Sequence, residues 1–357
     1  MTAPSPDVLP KWHSVNGLKS ISLKLIEWIK RHPRTVALAG FISGIASFAL
    51  VERKPILAQI IVVLMLATWV WLMLENTLRR NALRLLNLNI PRPALQFVTQ
   101  MVHQESLFFV LPFFFFTLTW NSGQLVFMAL LTCAALVSVV DPLYYNHLAK
   151  RQWLYMGFHS LTLFAVLLTG LPIILHLTTA QAYPLALGTA MVLAIPSIIK
   201  ALPPRRWWRY VALIALMATL GVSGWFARFW VPPATLWLTD VSISFEVDPE
   251  RKTYGQSIRQ LSHEQLHHNG LFAYSAIRAP RGLNERIYHV WRLDGELVDK
   301  IALDIQGGRD EGYRAWTHKQ HFPENALGRW QVQVVTEANQ MIGVLRFEVL
   351  GELPVLQ

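Results

Sequence analysis

Charged side chains are what this sequence is shortest of. Asp, Glu, Lys and Arg make up 15% of its 357 residues, where a soluble globular chain averages about 25%. A deficit of that size excludes a chain that faces water along its whole length. Acidic residues are scarcest, and unevenly so: residues 1–239 hold 19 Lys and Arg against 6 Asp and Glu, whereas residues 240–357 hold 13 against 16. The one cysteine, Cys133, excludes an intramolecular disulfide and a cysteine-built zinc site. No G-x-S-x-G elbow, Walker A loop, kinase signature, D-x-D pair or dinucleotide-binding glycine fingerprint occurs. Gly307-Gly308 is a turn signal outside any phosphate-loop context.

What the first part has instead is long apolar runs. Stretches of about 20 mainly apolar residues suit a bilayer crossing, and seven are predicted, at 35–52, 56–74, 97–119, 123–140, 153–176, 183–200 and 207–227. The expected organisation is a basic N-terminus with an interfacial helix (1–34), a transmembrane domain (35–230) and a water-soluble domain (237–357) large enough to bury its own core. The start of the chain is Pro-rich and reads as disordered. Leu18, Ile21, Leu25 and Trp28 or Ile29 then recur at helical spacing among Lys19, Lys24 and Lys30, as in a helix lying on an anionic membrane surface or, equally, an ordinary juxtamembrane helix without lipid specificity. Glu75 to Asn89 reads as a second such helix, ended by Pro91 and Pro93. The first strong apolar run begins near Thr35, too far in for a cleavable signal peptide. Gly40 and Gly44 have the small-xxx-small spacing that lets helices approach closely.

The basic excess lies between these runs. The N-terminal segment and connections 75–96, 141–152 and 200–209 carry sixteen Lys and Arg, and the alternate connections three. The positive-inside rule then puts the N-terminus in the cytoplasm and the C-terminal domain outside. The net charge of +10 therefore points to a bilayer as partner and away from nucleic acid.

Ionisable groups inside spans are costly and mark function by default. Five fall in the cytoplasmic half under this topology: Glu75, His103, Glu105, Asp141 and His159. They are the candidate intramembrane cluster, centred on Glu105 and His159, for a proton relay or a polar ligand. The plainer reading pairs Glu75 with Arg79, makes Asp141-Pro142 the start of a short helix, and lets His103 and Glu105 reach the headgroups.

From Trp237 the pattern changes to period two. Val241 to Val247, Trp330 to Val334 and Leu345 to Val349 alternate apolar and polar residues, and strand-like runs recur at 271–278, 286–293, 297–304 and 312–318. Asp294-Gly295, Leu327-Gly328 and Asn339-Gln340 mark turns. The expected fold is an antiparallel β-sandwich with Trp291, Trp316 and Trp330 as core side chains. Arg314, Trp316, His318 and Lys319 are candidates for a basic-aromatic binding surface, against the plainer reading of a solvated strand face. His263-Glu264-Gln265-Leu266-His267 matches H-E-x-x-H, which on a helix holds zinc with two imidazoles and uses the glutamate as general base. His263 and His267 are the candidate ligands, Glu285 or His289 a third, and Glu264 the catalytic candidate. A small sandwich, however, offers no metalloprotease cleft, and zinc is not the favoured reading.

The runs His289 to Gly295, Arg314 to Lys319, Gly328 to Val332 and Gly343 to Phe347 resemble a bacterial family catalogued as domain of unknown function 2914, over roughly 271–350. The multi-span part is similar, in span layout, to a companion family, domain of unknown function 5924. The resemblance implies a bacterial cell-envelope protein and brings no activity or catalytic residues with it. The expectation is an inner-membrane protein, not favoured as an enzyme, whose periplasmic sandwich binds an envelope protein or glycan while the helices anchor it or relay a signal. A transporter or enzyme using the inner-half cluster, and a zinc hydrolase, are the alternatives. Self-association is left open.

Overall fold

The computed structural model describes residues 92–120, 122–201 and 208–351, together with parts of 35–46 and 56–69. The expectations for 1–34, for Glu75 and for the 75–89 helix lie outside these residues. The helical part contains α1 (Arg92–Phe116), α2 (Gln124–Val139), a π-helical segment Pro142–Leu148, α3 (Gln152–Leu175), α4 (Thr179–Ala201), α5 (Trp208–Ala227) and a 3-10 turn Arg228–Trp230. Described residues within 35–46 and 56–69 are also helical.

Helices thus occupy five of the predicted spans, but seven crossings are not what the described residues show. Two helical stretches, Gln152–Leu175 and Tyr210–Trp230, are long and apolar enough to cross a membrane, and a third if Gln124–Val139 and Pro142–Leu148, bent by 102°, form one span. The reasons are local. α1 carries a polar band from Thr99 to Ser106, α2 breaks where Pro142 has no N–H to offer, and about half of the first two predicted spans falls outside the described residues. Glycine spacing does bring an early helix onto α1: a Cβ on Gly44 would sit 2.6 Å from the Phe108 carbonyl oxygen, and one on Gly40 3.0 Å from Gln104.

The C-terminal domain is built from β1 (Trp237–Ser244), β2 (Val247–Asp248), β3 (Thr253–Tyr254), β4 (Gln260–Ser262), α6 (His263–Asn269), β5 (Leu271–Arg278), β6 (Asn284–Leu293), β7 (Glu296–Gln306), β8 (Tyr313–Lys319), β9 (Gly328–Thr336) and β10 (Met341–Leu350). One sheet has the order β1-β5-β8 and the other β4-β10-β9-β6-β7. All pairings in these two sheets are antiparallel except β4 with β10, which run parallel. The sheets share one core in which Trp291 and Trp330 are fully buried and Phe347 stacks on Trp330 at 5.8 Å. Asp294 and Gly295 both have positive φ, the geometry a two-residue hairpin between β6 and β7 demands.

The two parts meet at the ends of helices. Gln124, which opens α2, donates to the Met341 carbonyl (2.8 Å); Thr179, which opens α4, donates to Glu285; and Gln340 donates to the Val231 carbonyl (3.0 Å) after α5. Gln124, Thr179, Glu285 and Gln340 are all buried. The ends of α1 and α3, the starts of α2 and α4 and the end of α5 therefore lie on the β-domain side. The π-helical segment and the starts of α1 and α3 lie on the far side.

Candidate functional site

Gln100, His103 and Ser106 recur every three residues on α1 and so share one face. All three are buried. His103, fully enclosed, uses both ring nitrogens: Nδ1 shares a hydrogen bond with the Tyr144 hydroxyl (2.9 Å) and Nε2 with Nδ1 of His159 on α3 (3.0 Å). The indole of Trp69 lies edge-on to His159 with ring centres 4.5 Å apart, and its N–H donates to Ser106 Oγ (2.9 Å). Tyr155 stacks beside His159 at 6.3 Å. One turn away, Gln100 donates to Asp141 Oδ1 (2.8 Å) and to the Ser138 carbonyl (3.0 Å).

The π-helical segment puts Tyr144 there. Ala149 N–H reaches back five residues to the Tyr144 carbonyl, and the wider turn aims the Tyr144 ring into the bundle, where it is 1% exposed. Single π turns inside helical segments are frequent at functional sites. Asp141 does precede a short helix with Pro142 at its first position, but its side chain makes no cap; it serves Gln100 instead.

The candidate cluster is thus partly assembled and partly corrected. His103 and His159 touch, and Asp141 joins through Gln100. Glu105 does not join, because two helical residues turn it about 200° away from His103; it lies beside Gly40 and hydrogen-bonds Ser43. Tyr144, Trp69 and Gln100 are absent from the sequence-based set. The three-residue polar stripe on α1 is the signal that points to Gln100 and Ser106; nothing in the sequence points to Trp69.

In the β-domain, period two divides the candidate surface. Arg314, Trp316 and His318 share the outer face of β8, where His318 stacks on Phe272 at 3.9 Å and Arg314 pairs with Glu311 at 2.7 Å. Trp316 is half-buried on that face rather than in the core. Lys319 points the other way and is buried, with Nζ 2.7 Å from Asp299 on β7. The Lys319 hydrogen bond holds the Asp299 carboxyl below its usual range.

The H-E-x-x-H stretch does form a helix, α6, of seven residues, capped by Ser262 in a capping box with Gln265. The His263 and His267 rings lie 4.4 Å apart, Glu264 is exposed, and His263 Nε2 is engaged by the Glu324 carbonyl at 2.9 Å. A cavity of about 510 Å³ is lined by His263, Glu324, Asn325, Leu327 and Gly351, without Glu264 or His267. Neither proposed third ligand reaches this pair. Glu285 sits at the opposite end of the strands, with both oxygens on Thr179, and burial pushes its carboxyl up to about 7. His289 lies inside the sandwich, between the hydroxyls of Ser275 (3.0 Å) and Thr317 (2.9 Å), where burial holds its imidazole down at about 3. Among the described residues no group of three His, Cys, Asp or Glu is placed to hold a metal ion.

A family model described as a family of unknown function, DUF5924, matches residues 15–273, and one described as a protein of unknown function, DUF2914, matches residues 284–349. The first runs past the helices and into the first three residues of β5, so it takes in α6 and part of both sheets. No curated protein and no solved structure matches the chain.

Proposed function

The chain belongs to the DUF5924 family, which carries no activity with it, and from the geometry we propose a bacterial inner-membrane protein whose periplasmic sandwich binds an envelope protein or glycan and whose helices relay that binding inward. The observation that carries this reading is the docking of the sandwich. Buried hydrogen bonds from Gln124, Thr179 and Gln340 tie it to the ends of α2, α4 and α5, so a load on the strands reaches three helices directly. Sixteen Lys and Arg on one side of the apolar runs against three on the other support the N-terminus as cytoplasmic. The apolar surface of α5, with Ile214, Leu220, Val222 and Phe226 exposed, supports lipid contact, and the shorter or more polar helices would complete the crossings around it.

The test is hydrogen exchange on the full chain in lipid nanodiscs, with and without fractionated envelope glycans and proteins. The reading expects protection on β8 together with a change at the starts of α2 and α4. Protection confined to β8 removes the relay, and no protection removes the binding role.

A second reading, transport or catalysis within the helices, is favoured by the enclosed His103–His159 contact.

A further inference from the structure

We propose that His263 and His267, one turn apart on α6, form an open two-imidazole site for a divalent transition-metal ion. The site lies at the end of the sandwich away from the helical part, since β4 runs into α6 beside the end of β10 and it is the start of β10 that meets α2. It requires neither a membrane crossing nor the binding role given above to the sandwich. Residues i and i+4 of a helix share one face, about 6 Å apart along its axis, and here the two ring centres are 4.4 Å apart. Two imidazoles that hold one ion at right angles, at about 2.0–2.1 Å per nitrogen, have ring centres about 4.5 Å apart. The observed spacing fits two ligands on adjacent positions of one ion.

One hydrogen bond fixes which nitrogen of His263 is free. A carbonyl oxygen only accepts, so the 2.9 Å contact between His263 Nε2 and the Glu324 carbonyl places the ring hydrogen on Nε2. The neutral ring then carries its lone pair on Nδ1. A ligating histidine ordinarily donates its other N–H to a carbonyl or carboxylate in this way, which orients the ring and raises its basicity. His267 is exposed and makes no hydrogen bond among the described residues, so a nitrogen of that ring is free as well. Binding replaces water on the ion with one nitrogen from each ring. Both rings stay neutral and no electron moves.

The helix that carries the pair is itself held in place. Leu266 is fully buried in the sandwich core, and Ser262 and Gln265 close the first turn in a capping box. The two ligand positions are therefore set before an ion arrives. No third His, Cys, Asp or Glu completes the site among the described residues. Structural zinc sites use four protein ligands and catalytic ones three, so two imidazoles make a site of exchangeable occupancy, its other positions open to water or to a partner's side chain. Glu264, about 100° round the helix from His263, is no ligand, and the site captures an ion without hydrolysing a substrate. Imidazole without thiolate or carboxylate selects copper(II), nickel(II) or zinc(II) over magnesium and calcium, and the order of divalent affinities puts copper(II) first.

The experiment titrates the full chain in lipid nanodiscs with copper(II) alone, read by calorimetry and by electron paramagnetic resonance. Wild type is expected to bind one tight equivalent through two nitrogen donors, and to bind zinc(II) more weakly at the same place. His267→Gln, at an exposed position, and His263→Gln, which supplies another N–H for the Glu324 carbonyl, are each expected to weaken that equivalent by about tenfold or more, since even changes behind a ligand cost that much. His268→Gln, about 140° round the helix from His263, is expected to bind as wild type does. A wild type without the tight equivalent overturns the proposal, and so does an equivalent that His267→Gln leaves unchanged. Two unlinked imidazoles would each remove half of the bound copper and leave the other half at unchanged affinity, and that result overturns it too.

Discussion

Thr179 donates both its backbone N–H and its hydroxyl to the carboxylate of Glu285, at 2.9 and 2.6 Å, across 106 residues of chain. The pair joins the start of α4 to the start of β6 in a place closed to water. Burial outweighs the two donors and lifts the Glu285 carboxyl from an ordinary 4.5 to about 7. A carboxyl raised in this way favours the folded state while protonated. Its contribution is full below about 4.5 and is lost as the pH rises through 7, at no more than about 1.4 kcal/mol per pH unit. Glu285→Gln has no charge to bury, and its amide still accepts the N–H and donates to the hydroxyl. The variant is expected to lose this part of the pH dependence and to unfold at a higher temperature than wild type above pH 7. Unfolding midpoints of both proteins in detergent across that range check it.

His289 has the opposite sign. Its imidazole is neutral in the core and held down at about 3 from an ordinary 6.5, so its contribution is complete above 6.5 and is lost as the pH falls toward 3. It also joins the two sheets, since Ser275 and Thr317 belong to one and His289 to the other. His289→Leu leaves both hydroxyls without the ring, at about 1–3 kcal/mol for each buried group left unpaired. The triple change His289→Leu, Ser275→Ala, Thr317→Val is expected to recover most of that loss and to remove the acid sensitivity. Denaturant unfolding of the two variants beside wild type decides it.

Lys319 and Asp299 form an unequal pair, the lysine side chain 7% exposed and the aspartate 41%. Removing the aspartate strands a buried ammonium, whereas removing the lysine frees a carboxylate that water already reaches. Asp299→Ala is therefore expected to cost about 3 kcal/mol and Lys319→Met less than about 1. Equal losses in thermal unfolding would show that the pair behaves as a surface contact.

Two helical glycines should respond with opposite signs. A Cβ on Gly44 meets the Phe108 backbone at 2.6 Å, and one on Gly157 meets nothing within 4 Å. Gly44→Ala is expected to destabilise by about 1–3 kcal/mol through overpacking. Gly157→Ala is expected to stabilise by up to about 1 kcal/mol through helix propensity. Detergent-stability curves of the two variants test both.

Local pattern carried most of the architecture. The shift from long apolar runs to alternation at Trp237 separates helices from strands because side-chain period depends only on the backbone a segment adopts. Asp294-Gly295 marks its hairpin because few residues tolerate positive φ. The same periodicity also holds information about the sites: Glu105 cannot share a face with His103, nor Lys319 with Trp316. The number of crossings is less legible, since polar side chains on α1 and the break at Pro142 interrupt runs that composition alone joins.

What the sequence determined by itself is the order of elements, the asymmetry of charge about the apolar runs, and which residues share a face. Only the tertiary structure decided which faces meet. His103 finds His159 and Tyr144 across 56 and 41 residues, and Glu285 finds Thr179 rather than the histidines of α6. Each outcome depends on how separate helices and strands pack together, because buried polar groups take the partners that packing brings within about 3 Å.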